Sequence, residues 1–187
     1  ILGRKGTGKT TLARYLIAHR CKRVMVLHTL GTDYGGGVVV STPTALREYL
    51  NRVQDFEDFC VIARPQTDGM APAFFDCARE IGQRRRAPIW VFVDEVDRYC
   101  SPWQIDEGFK WLINYGRQFG ICVVGIARRA SNVHRDLTAN CDWIVAHQAE
   151  PDRPQLELDY LDRLMDITGL ETLAPFQWRR HGTSKVF

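Results

Sequence analysis

One stretch near the start of the chain, Gly3-Arg4-Lys5-Gly6-Thr7-Gly8-Lys9-Thr10-Thr11, restricts the possible folds more than any other. It fits G-x-x-x-x-G-K-[ST], the phosphate-binding P-loop or Walker A pattern. Gly3, Gly6 and Gly8 let the backbone turn with few Cβ clashes, so consecutive N–H groups, including those of Thr7 and Thr11, can converge on phosphate oxygens. Lys9 is expected to reach the β- and γ-phosphates, and the Thr10 hydroxyl to join a Mg²⁺ shell. Leu12/Leu16 and Ala13/Ile17 recur at i,i+4, which predicts a helix directly after the loop with its positive dipole end toward the anion. At average residue frequencies such a match arises by chance in roughly one chain of this length in a hundred. A P-loop ordinarily follows a buried strand, and only Ile1-Leu2 precede Gly3, so most of that strand is expected upstream of this chain.

A second motif gives the loop a reaction to serve. Ile89-Trp90-Val91-Phe92-Val93-Asp94-Glu95 is an apolar run closed by two acids, the Walker B pattern. Buried as a strand, it would deliver Asp94 to the metal. Glu95 would then stand where a carboxylate can orient or deprotonate an attacking water. Further strands are expected at 24–28, 38–40, 59–63, 121–127 and 143–146. Helices are expected after Thr42-Pro43, around Phe74–Ile81 and Phe109–Ile113, and over Leu158–Met165. This alternation predicts an α/β fold of RecA-like P-loop type, with a mainly parallel sheet flanked by helices. An extra strand between the two motifs, together with Glu95, points to the division in which a glutamate activates water. Residues 1–150 would form this core, and 151–187 a C-terminal helix and short strand or hairpin.

The 187 residues suffice for one sizeable core, and the longest apolar runs are too short to cross a bilayer. The formal charge of +3 permits contact with nucleic acid without arguing for it. Six cysteines lack any C-x-x-C pair, which favours buried free thiols in a reducing cytoplasm over disulfides or zinc. Arg84-Arg85-Arg86 reads as a solvated helix end or, more sharply, as a contact to DNA phosphates, with Arg135 a further candidate.

The run Gly116-Arg117-Gln118-Phe119-Gly120, then a strand, then Ala127-Arg128-Arg129-Ala130-Ser131, resembles the HerA/FtsK superfamily of DNA-pumping ATPases. That family carries G-R-[KR]-[YF]-G, an apolar strand and [ST]-Q-R-P-S, with a Walker B Asp-Glu shortly before. The likeness covers most of residues 1–150 and continues through Leu137 and Asp142-Trp143-Ile144. It implies an ATPase using ATP and Mg²⁺ that moves double-stranded DNA as a homo-oligomeric, hexameric ring. The small size is similar to viral genome-packaging ATPases, with capsid or portal proteins as partners and a place in the host cytoplasm or virion. The phage assembly ATPases related to zonula occludens toxin, acting on protein, are the alternative within the resemblance. A small-molecule P-loop kinase is the alternative outside it. Arg117 matches the position that resembles an arginine finger. Arg128 replaces the glutamine taken to sense the γ-phosphate, Arg129 keeps the family's arginine, and Ala130 replaces its proline.

Overall fold

Short runs of β-branched, aromatic and other apolar residues, none longer than five, form the central strands. Uniformly apolar strands of this kind are stable only where both faces of a sheet are covered. A computed structural model of the chain describes residues 1–29, 34–67, 69–84, 87–148, 154–170 and 172–182. Its strands β1 (Arg23–Leu27), β2 (Val38–Val40), β3 (Phe59–Ala63), β4 (Ile89–Val93) and β5 (Ile121–Gly125) make one parallel sheet ordered β2-β3-β1-β4-β5. Beyond β5 the chain's first residues complete the pattern. Leu2 bridges Ala127 on one side and Ala146, in strand β6 (Trp143–Ala146), on the other, both in parallel sense. A last strand, β7 (Arg179–Gly182), pairs antiparallel with β6.

Side chains along β1 alternate between two cores. Val24 and Val26 pack with Ala13 and Ile17 of helix α1 (Lys9–Arg20), Ile62, Phe92 and Ile126. Met25 and Leu27 face the larger core beneath helices α2 (Pro43–Val53), α3 (Met70–Gln83) and α4 (Glu107–Tyr115). Helix starts follow their expected chemistry. The Thr42 side chain accepts from the Ala45 N–H at 3.2 Å with Pro43 at the first helical position, and Asp106 accepts from the Phe109 N–H at 3.1 Å. Phe75 ties α3 to α4, its ring centroid 5.1 Å from that of Phe109. A short helix α5 (Arg135–Ala139) precedes β6.

The C-terminal part differs in detail from its periodicity. Helix α6 (Pro154–Asp162) stops before Leu164 and Met165, although Leu158, Leu161 and Met165 are all buried in the larger core. Phe176–Trp178 form no strand; pairing begins at Arg179. All six cysteines are free, with Cys77 and Cys100 buried but Cys141 exposed. Among the described residues no helix is long and apolar enough to cross a membrane.

Parallel strands send all their C-terminal ends to one edge, where α/β sheets bind ligands. That edge gathers Gly3–Lys9 after Leu2, His28-Thr29 after β1, Asp94-Glu95 after β4 and Arg128-Arg129 after β5. It also confirms that β5 lies between the P-loop segment and the Walker B strand.

Candidate nucleotide and catalytic site

Gly3, Gly6 and Gly8 have φ of 138°, 82° and 98°, backbone that side chains rarely adopt. Two of these positions are also closed by neighbours. A Cβ at Gly3 would lie 2.6 Å from the His147 Cβ, and one at Gly8 would lie 2.6 Å from the Phe176 ring. The buried Thr7 hydroxyl donates to the Arg4 carbonyl at 2.9 Å. Helix α1 begins at Lys9, its first turn closed by the Leu12 N–H to the Gly8 carbonyl at 2.9 Å. The Lys9 ammonium folds back over the loop and donates to the carbonyls of Gly3 and Arg4 at 2.6 and 2.8 Å. It thus stands over the loop's hollow, where phosphate oxygens can replace those carbonyls as its partners.

Asp94 leaves β4 toward that hollow. Its Oδ1 accepts the Glu95 N–H at 2.9 Å, and its Oδ2 lies 2.9 Å from Nδ1 of the buried His28. Burial alone would raise this carboxyl, but the His28 imidazole beside it, helped by the nearby Tyr34 hydroxyl, outweighs burial and holds it below the usual carboxylate range. The Tyr34 hydroxyl faces both Asp94 and Thr10, yet closes no regular hydrogen bond among the described residues although buried. A hydrated cation between Thr10 and Asp94 would supply the missing partner. Mg²⁺ favours one carboxylate, a hydroxyl, phosphate oxygens and retained waters, so the donor set fits it.

Glu95 adopts left-handed backbone, φ 48° and ψ 49°, a strained conformation of the kind that clusters at functional sites. Among the described residues, three side chains hold its carboxylate. Thr29 donates its hydroxyl at 2.6 Å, Arg98 Nε lies at 3.0 Å, and an Arg128 guanidinium nitrogen lies at 3.7 Å. The result is a carboxylate fixed in orientation on the same sheet edge as the P-loop.

With this geometry in place, likeness to known proteins is informative. No protein-family model matches the sequence, and no curated protein matches it. Solved structures do match in shape. The genome packaging NTPase B204 of Sulfolobus turreted icosahedral virus 2, in complex with ATP-gammaS, superposes with a TM-score of 0.75 at 12% identity, covering 98% of this chain and 90% of that one. B204 of Sulfolobus turreted icosahedral virus, the DNA-packaging ATPase, gives 0.71 at 17%, covering 97% and 89%. EssC (ATPases 2 and 3) from Geobacillus thermodenitrificans gives 0.53 at 15%, covering 85% of this chain and 33% of that one. The chain has the P-loop NTPase fold.

Within that fold the expected site residues divide into two groups. Gly3, Gly6, Thr7, Gly8, Lys9, Thr10, Thr11, Asp94, Glu95, Arg128 and Arg129 share the C-terminal edge of the sheet. Arg117 does not join them. It lies in the 3-10 turn Gly116–Phe119 before β5, at the opposite edge, exposed and 3.1 Å from Asp142. Any action of Arg117 on a nucleotide must therefore be on that of a neighbouring subunit. Arg84 also sits at the opposite edge, bonded to the Gln54 side chain, while Arg135 opens α5. Arg85 and Arg86 lie outside the described residues.

Sequence reasoning missed His28, Thr29, Tyr34 and Arg98, which surround the acid pair. Only the position of His28-Thr29 at the end of a predicted strand could have signalled them. It also missed His147, buried beneath the loop between the backbones of Thr7 and Gln177. Burial pushes this imidazole below the usual histidine range, outweighing the Thr7 backbone, which favours the charged form. Below about pH 6.5 the unfolded chain therefore binds a proton that the folded chain resists, and stability falls with pH. Melting temperatures between about pH 7.5 and 5.5 should drop more steeply for wild type than for His147→Gln. Equal slopes would remove His147 from the account.

Proposed function

We propose that this chain is the ATP-hydrolysing subunit of a ring motor that translocates double-stranded DNA into a viral capsid. The observation that carries the hydrolytic part is Glu95, a fixed carboxylate one residue past Asp94, on the same sheet edge as Lys9 and Thr10. Mg²⁺ held by Thr10 and Asp94 would neutralise developing phosphate charge. Lys9 would hold the β- and γ-phosphates, Glu95 would accept the proton of the attacking water, and Arg128 and Arg129 would border the γ-phosphate. The packaging assignment draws on near-full-length likeness to the B204 packaging NTPases. Subunits would assemble as a hexamer, each offering Arg117 to its neighbour's nucleotide, with capsid or portal proteins as further partners in the host cytoplasm or virion.

ATP hydrolysis by the full-length protein, with and without duplex DNA, tests this reading. Duplex DNA should raise the rate, and its binding should depend weakly on sequence. With six or more phosphate contacts, affinity should fall by on the order of 10³ between about 50 mM and 200 mM salt. Hydrolysis indifferent to duplex DNA, with no salt-sensitive binding, would remove DNA as the track. Stoichiometric phosphate transfer to a small acceptor would indicate a kinase instead.

A further inference from the structure

Among the described residues only two other than glycine have left-handed backbone: Glu95 and Phe176, the latter at φ 67°. Strain of this kind is unfavourable and persists where surrounding structure imposes it, commonly at functional sites. Glu95 is accounted for above; Phe176 is not. Its N–H donates to the Thr7 carbonyl at 2.9 Å, which pins the residue to the P-loop itself. Its ring edge lies over Gly8, so close that Cδ1 would be 2.6 Å from a Cβ there. Yet the residue remains 63% exposed, so burial of apolar surface does not explain why a large aromatic occupies a strained position.

The sheet decides which end of a nucleotide would meet this ring. The P-loop segment has β5 and then β4 on one side, and β6 with β7 on the other. Asp94 and Glu95 end β4 and mark the terminal phosphate. Phe176 arrives from the opposite side, three residues before β7. A triphosphate laid along the loop with its γ end toward Glu95 directs its nucleoside toward the outer edge at Gly8 and the start of α1, where Phe176 stands.

We infer that Phe176 is the platform on which the nucleobase stacks. The inference rests on the nucleotide reading proposed above and assigns a base-binding subsite to a segment outside both Walker motifs. A phenyl ring has no hydrogen-bond donor or acceptor, so this contact holds purines by their faces and does not itself select adenine over guanine.

Binding of ATP and of inorganic tripolyphosphate, each with Mg²⁺, to wild type, Phe176→Ala, Phe176→Leu and Phe176→Trp tests the assignment. Alanine and leucine should each weaken ATP by about tenfold, the scale of one base–aromatic stack, and leave tripolyphosphate unchanged. Leucine retains an apolar contact over Gly8, so it separates stacking from support of the loop. Tryptophan should keep ATP affinity, with its fluorescence altered on binding. Equal weakening of both ligands would mean that the ring only braces the P-loop, and would overturn the assignment, as would ATP affinity unchanged in the alanine and leucine proteins. Wild type that bound neither ligand would overturn the nucleotide reading and this inference with it.

Discussion

Glu95→Gln is expected to bind ATP with near wild-type affinity and to hydrolyse it about 10²–10⁴-fold more slowly, the usual contribution of a positioned general base. The amide keeps an oxygen able to accept from the Thr29 hydroxyl, now 2.6 Å from the carboxylate, so the backbone and the loop should be undisturbed. It cannot take a proton from water, and it gives up the charge that faces Arg98 and Arg128. The loss should therefore appear in turnover and not in ground-state binding. Lys9→Ala should show the opposite pattern, with tight binding lost, because it removes the ammonium that stands over the loop's hollow. Measuring nucleotide affinity and hydrolysis separately distinguishes the two. A Glu95→Gln protein turning over at the normal rate would show that another group activates the water.

Arg117→Ala is expected to reduce hydrolysis in assembled rings by on the order of 10³-fold, the scale of arginine fingers that meet transition-state charge. Its distance from its own site is a matter of topology, since it precedes β5 while the nucleotide edge follows the strand. The ion pair with Asp142 joins two exposed side chains, and such pairs contribute only about 0–1 kcal/mol, so the substitution should not unfold the chain. A monomer should bind ATP yet hydrolyse it slowly, with the rate per subunit rising as rings form. Mixing Arg117→Ala with Glu95→Gln subunits gives a sharper measurement. Each should be strongly impaired alone, but some mixed interfaces would pair an intact Glu95 with a neighbour's intact Arg117, and activity should partly return. If rings of Arg117→Ala hydrolyse normally, the finger lies elsewhere, and Arg128, already 3.7 Å from Glu95, is the next residue to vary.

The glycine spacing of Gly3–Thr10 and the apolar run ending in Asp94-Glu95 determined the fold class and pointed to the candidate site, because local backbone freedom and strand burial are written in consecutive residues. The alternation of strands and helices likewise required only short-range patterning, and each of the six expected strands appears. The surroundings of the acid pair were settled in another way. His28, Thr29 and Tyr34 reach Asp94 and Glu95 only because β1 lies beside β4, a pairing between residues some 66 positions apart, as in the Thr29–Glu95 bond. The separation of Arg117 from Arg128, only a strand apart in sequence, follows from the parallel sheet having two unlike edges. Phe176 reaches Gly8 from the far end of the chain because β7 pairs with β6 beside the loop. A motif can specify its own backbone; which side chains stand around it depends on strand order, and strand order is decided by long-range packing.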